Sequence, residues 1–220
     1  MIPFLAWMSL ATLQDARFTA EARLVEAHAT VLDHHGSFID GLQREQFRIL
    51  DNGEPQEILA FESGVESISC SIVIDTTGSV QNALPYVKNA TMHLIDALRA
   101  DDSVAIYGFN TSLRRLSDFT TDKALAKRSV QYLRAAGQTA LFDAISEVSD
   151  AASRRKGKKA IIVFTDGADN ASVLYKAAAE SRSRQAGLPI YAIAEGDAQK
   201  DSNLRKILRI LAEQTGGKSL

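Results

Sequence analysis

At 220 residues, 45% hydrophobic and 24% charged, the chain has the size and balance of one large globular domain, or of a domain with a small appendage. A net charge of −2 and a pI near 6.1 give no electrostatic basis for binding nucleic acid. The single cysteine, Cys70, excludes an intrachain disulfide and a thiolate zinc site, and its apolar surroundings mark it as a small buried hydrophobe.

The run from Ile2 to Ala11 is apolar enough for the hydrophobic part of an export signal, but no Lys or Arg precedes Arg17. It is also shorter than the ~20 residues that cross a bilayer. Residues 1–19 are therefore read as an export signal or a disordered terminus, and no later stretch reads as transmembrane. Residues 20–66 read as a small β unit of about three strands. A β-like run covers 22–32, turn chemistry around Gly36 and Gly41 covers 33–41, and Asn52-Gly53 inside "FRILDNGEPQEILAF" is a strong hairpin signal.

From residue 67 to 220 the pattern changes. Short, nearly continuous apolar runs at 68–75, 103–109, 160–165 and 189–194 suit parallel strands buried on both faces. Between and after them lie amphipathic stretches at 79–99, 122–135, 139–154, 172–186 and 201–215. Asp122 stands where it would cap the second of these, and Gly216-Gly217 stops the last. Alternation of this kind predicts the α/β class: a doubly wound, mostly parallel, Rossmann-like sheet with right-handed crossovers, preceded by the small N-terminal β unit. Ligands of such sheets bind beyond the carboxyl ends of the strands.

Two of those strand ends are rich in oxygen ligands. "DTTGS" (75–79) places Asp75, Thr77 and Ser79 two residues apart, so an extended strand end turns all three the same way. "TDGADN" (165–170) places Asp166 at the end of another strand, and "AAGQTALFDA" (135–144) offers Thr139 at a helix start. Together these are two carboxylates and three hydroxyls, a donor set for a small hard cation such as Mg²⁺ and not for zinc or copper. Asp169 and Asn170 read as turn and cap of the following helix, Asp143 as a surface group or a neighbour of the ligand set, and "SRRKGKK" (153–159) as a solvated connection.

"DTTGS", "GQTALFDA" and "IIVFTDGADN" resemble the three parts of the metal-ion-dependent adhesion site of the von Willebrand factor type A family. The resemblance implies the type A fold from about residue 67 to 217 and a divalent cation, Mg²⁺ or else Mn²⁺ or Ca²⁺, on Asp75, Thr77, Ser79, Thr139 and Asp166. It departs from the family pattern at Thr77, where serine is usual, but the hydroxyl is kept. It implies a non-enzymatic adhesion module whose cation captures an Asp or Glu carboxylate of a partner protein. Residues 32–62 are similar to the segment preceding the type A domain in a bacterial group, the VWFA-related acidobacterial family, which implies a secreted, periplasmic or envelope setting. Relatives usually continue into a further strand and helix after "LAEQTGG", so the sheet is expected to lack its last strand and to leave an edge open. Two alternatives are a Mg²⁺-dependent phosphoryl-transfer hydrolase of haloacid dehalogenase type and a scaffold with a vestigial metal site. The first needs a carboxylate two residues after the strand-end Asp, where this chain has Thr77.

Overall fold

A computed structural model describes residues 25, 27, 29, 31, 33, 34, 39, 41–62, 67–166, 169–194 and 200–220. The stretch 1–19 lies outside the described residues, as does most of the run expected as a strand over 22–32 and of the turn at 33–41. Ile39 N–H donates to Val31 C=O at 2.9 Å.

Of the strands expected before residue 67, the described residues contain one antiparallel pair, β1 (Ile49–Asp51) and β2 (Glu54–Gln56). Asn52 and Gly53, at φ 51° and 88°, make the tight turn between them. Two positive φ values in a row are what a two-residue hairpin with the twist of its strands demands. Both strands are exposed along their length, and the unit's visible packing is Phe47 against Phe61, with ring centroids 5.2 Å apart.

The remainder is a five-stranded sheet of order β5-β4-β3-β6-β7. Its strands are β3 (Ile68–Asp75), β4 (Ser103–Phe109), β5 (Leu113–Thr120), β6 (Lys158–Thr165) and β7 (Ile190–Ala194). β3, β4, β6 and β7 pair in parallel, and β5 turns back antiparallel on β4. β5 was not expected. Five of the eight residues of "LRRLSDFT" are charged or hydroxylated and only one is buried, so it lacks the apolar signature of the central strands. An edge strand with a short antiparallel return can be that polar, since only one side of it joins the sheet.

Helices cover both faces. α1 (Leu84–Ala97) and α2 (Lys123–Val130) lie on one, packing Leu84, Val87, Ile95, Ala126 and Val130 on Cys70, Ile72 and Ile74. α3 (Leu141–Ser153), α4 (Lys176–Gln185) and α5 (Ser202–Glu213) lie on the other, with Leu141, Ile145, Ala179, Leu208 and Leu211 over Val73, Ile161, Val163 and Ile190. Each fully buried aliphatic side chain of this kind contributes about 1.5–3 kcal/mol. Asp122 caps α2 as expected, accepting from Leu125 N–H at 2.9 Å. α1 begins later than its apolar stripe suggests: residues 78–80 form a 3-10 turn first, and Pro85 sits in the first turn of the helix proper.

The outer edge of β7, expected to be open, is met by the last residues. Ala192 N–H donates to Lys218 C=O at 3.0 Å, Leu220 N–H to Ala192 C=O at 2.8 Å and Ala194 N–H to Leu220 C=O at 3.1 Å. The path from α5 to that edge passes through Gly216, at φ 84°, and Gly217, whose backbone lies so near Ile190 that an added Cβ would fall 1.9 Å from its carbonyl oxygen. Among the described residues no helix is long and apolar enough to cross a membrane.

Candidate functional site

β3 lies between β4 and β6, so the chain leaves it in one direction and later returns on its other side. This is the switch point where the carboxyl ends of the strands open a crevice. Asp75 ends β3, and Asp166 follows directly on β6 beside it.

Asp75 is 2% exposed, Thr77 1% and Asp166 4%, while Ser79 faces solvent. The four are joined in one chain of contacts. Asp75 Oδ1 accepts from Thr77 N–H at 2.9 Å and from the Thr77 hydroxyl at 2.7 Å. Thr77 Oγ1 lies 2.9 Å from Ser79 Oγ, and the Ser79 hydroxyl donates to Asp166 Oδ2 at 2.6 Å. Asp75 Oδ2 is held by the Thr165 hydroxyl at 2.7 Å. Burial, and in smaller part the charge of Asp166, push the Asp75 carboxyl above the ordinary aspartate value, against the opposing pull of its hydrogen bonds from Thr77 and Thr165.

The link between Thr77 and Ser79 is short of a proton. A hydroxyl has one hydrogen to give. Three oxygen–oxygen contacts, at 2.7, 2.9 and 2.6 Å, run between Asp75, Thr77, Ser79 and Asp166, and the two hydroxyls supply two hydrogens. With both carboxylates ionised, one contact sets lone pair against lone pair. A cation among these oxygens, or an extra proton on a carboxyl, removes that conflict, and the all-oxygen donor set fits a hard divalent ion. Among the described residues no three His, Cys, Asp or Glu side chains gather into a cluster, so any cation here depends on the hydroxyls.

Thr139 is 2% exposed and comes to this place through its backbone; no side-chain hydrogen bond joins it to the other four. Its segment is stitched to the Asp75 loop, with Ala136 N–H donating to Thr76 C=O at 2.7 Å and Gly78 N–H to Gly137 C=O at 3.3 Å. On the other side Thr139 N–H donates to Asn170 Oδ1 at 2.9 Å, and Asn170 and Ala171 N–H both return to Thr139 C=O at 3.0 Å.

Asp169 and Asn170 do not cap the helix that follows them. α4 starts after Tyr175 with no side-chain cap. They serve the preceding helix instead. α3 has Ala140 at its N-cap and nothing of its own to satisfy its first amides. Asp169 Oδ2 accepts from Phe142 N–H at 3.0 Å, and Ser172 Oγ accepts from the N–H groups of Phe142 and Asp143 at 3.1 Å each. Asp143 answers in the opposite sense, taking Val173 N–H at 2.9 Å and Leu174 N–H at 2.8 Å. This reciprocal clamp ties the 169–174 segment to Thr139 and the first turn of α3. Sequence reasoning passed over its pairing because the partners lie about thirty residues apart. It also passed over Thr165, although "FTDG" shows the hydroxyl directly before Asp166.

The profile of the von Willebrand factor type A domain matches residues 71–217. The chain belongs to that family. Solved structures share the type A fold at low identity. BatB from Bacteroides thetaiotaomicron is 17% identical over 70% of this chain and 89% of that one, with a TM-score of 0.57. An aerotolerance-related membrane protein from Bacteroides fragilis is 19% identical over 70% and 90%, with a TM-score of 0.59. The PilB minor pilin from Streptococcus sanguinis is 15% identical over 76% and 58%, with a TM-score of 0.57. No curated protein matches the sequence. Type A domains are in general protein-interaction domains, and the N-terminal hairpin lies outside the matched residues.

Proposed function

We propose that this type A domain is a cation-dependent protein-binding module: Asp75, Thr77, Ser79, Thr139 and Asp166 hold Mg²⁺, or Mn²⁺ or Ca²⁺, and the site captures an Asp or Glu carboxylate of a partner. The observation that carries the reading is the proton shortage in the Asp75–Thr77–Ser79–Asp166 chain. A bound divalent cation supplies positive charge with a position left for one more anionic oxygen. The chain's own residues do the rest. Thr165 and Thr77 N–H orient Asp75, the α3 clamp ties Thr139 to Asn170, and exposed Ser79 marks the side from which a partner reaches the site. Nothing favours phosphoryl transfer, since position 77 bears a hydroxyl and both oxygens of Asp75 are engaged by Thr77 and Thr165.

A bacterial envelope or secreted setting belongs to the same proposal. It is supported by the fold shared with a membrane protein and a minor pilin, and by the N-terminal resemblance. The test is a Mg²⁺ titration followed by thermal melting, with a pull-down in Mg²⁺ and in EDTA. Wild type is expected to gain Tm and retain its partner in Mg²⁺, and Asp75→Ala and Asp166→Ala to do neither. Equal melting and equal capture across all arms would overturn the reading. Turnover of a phosphate ester would move it to the hydrolase class.

A further inference from the structure

One residue before Thr77, Thr76 and Gly108 line a cleft of about 140 Å³ together with Asn110, Ser112, Arg114, Leu116 and the 132–134 segment. The absence of a side chain at Gly108 shapes it, because a Cβ there would meet Leu133 Cδ2 at 2.7 Å. Sites for drug-sized ligands run to about 300–1,000 Å³. This cleft is of a size for one side chain of a partner.

Its charge is one-sided. Lys88 Nζ donates to Gln131 C=O at 3.2 Å and Leu133 C=O at 2.9 Å, and Arg134 Nη1 donates to the same two carbonyls at 2.8 Å each. Two cations thus crowd the end of α2. Partial burial and the charge of Arg134 push the Lys88 ammonium below the ordinary lysine range. Arg114 lines the same cleft as Arg134. None of the three has a carboxylate ion pair among the described residues, whereas neighbouring Arg115 is paired with Asp118 at 3.2 Å. In a chain of net charge −2 this is a local excess of positive charge, with two arginines lining the concave surface and Lys88 bonded to its Leu133. Guanidinium forks match a carboxylate better than any other protein group does. The wall between cleft and cation site is firm, since Thr76 N–H and the Thr76 hydroxyl both donate to Phe109 C=O at 2.8 Å.

We propose that the cleft between Arg114 and Arg134 is a second carboxylate acceptor, so that the partner is a protein segment presenting two acidic side chains, one to the cation site and one here. The first half rests on the cation-site reading; the cleft stands on its own residues. The experiment titrates, by calorimetry, short peptides bearing two Asp residues at increasing separation and their single-Asn counterparts, in Mg²⁺ and in EDTA. In Mg²⁺ the best two-Asp peptide is expected to bind about tenfold tighter than either single-acid form, the worth of one charge-assisted contact. Arg114→Gln should remove that gain, and Arg115→Gln, the same charge change on the same strand, should leave it. Thermal melts establish that both variants are folded. A two-Asp peptide no tighter than its single-acid forms, or equal losses in the two Arg variants, overturns the proposal. So does an Arg114-dependent preference for phosphoserine over Asp. Arg114-dependent binding that is the same in Mg²⁺ and EDTA sinks the cation reading and leaves the cleft. Mg²⁺-dependent binding indifferent to Arg114 does the reverse.

Discussion

Burial makes Asp75 a weaker acid in the folded chain than an ordinary aspartate. Its pKa is raised above the ordinary 3.8, first by burial and also by Asp166. The sign follows from linkage. A raised folded value adds stability that is fully present below pH 3.8, the unfolded value, and is lost as pH rises through the folded one. In EDTA, Tm is therefore expected to fall across that interval, and Asp75→Asn, which cannot ionise, should not show this component. The Mg²⁺-induced gain in Tm should grow across the same interval, because proton and cation compete for one group. A Mg²⁺ effect independent of pH would count against Asp75 as part of the site. Thr77 matters for a related reason. Its hydroxyl completes the oxygen chain, and a carboxylate in its place would make the site a candidate for a different chemistry.

α3 depends on residues outside itself. Ala140 offers no oxygen to its first amides, and Asp169 and Ser172 come from beyond β6 to do so. Losing a cap costs about 1 kcal/mol, up to about 2. Asp169→Ala is expected to lower stability in urea by that amount. It should also weaken Mg²⁺ binding, since α3 carries Thr139 at its entrance; retained affinity at lowered stability would make the clamp purely structural. At the other end of the sheet, Gly217→Ala should destabilise by roughly 1–3 kcal/mol or more, since the added methyl meets Ile190 backbone and not a flexible side chain. Amide exchange should show which hydrogen bonds go first: those of Ala192 and Ala194 to residues 218 and 220.

Across the whole molecule, the central strands are the most deeply buried part, and they are expected to open last. Cys70 lies in central β3, 1% exposed, and burial pushes its thiol up to about 12. Thiolate and access are both needed for reaction. Labelling by a disulfide reagent is expected to proceed only as fast as global unfolding, with the same denaturant dependence. Labelling in native buffer at the rate of a free thiol would show that β3 opens locally. The same rigidity makes the carboxyl ends of β3 and β6 a fixed platform. The clamp at α3 and the stitched loops at Thr76 and Gly137 are seated on these buried strands.

How much of this the amino-acid order determines depends on whether the deciding interaction is local. The four buried parallel strands, the five helices and the Asn52-Gly53 turn were legible because apolar period and turn chemistry act within a few residues. Three of the five candidate ligands share "DTTGS", but the extended strand end reaches only to Asp75 and Thr77; Ser79 stands in a 3-10 turn, and Thr139 and Asp166 are remote in the chain. β5 was not legible, because an edge strand is specified by its partner β4 and not by its own composition. The true cap of α3 was not, nor was Thr165 behind Asp75, because each pairs groups remote in the chain. The excess of positive charge around Gly108 is likewise invisible in a sequence of net charge −2. Arg114 comes from β5 and Arg134 from the segment after α2, with Lys88 of α1 bonded to Leu133 behind it, and only the winding of the chain about β4 brings the two arginines to one cleft.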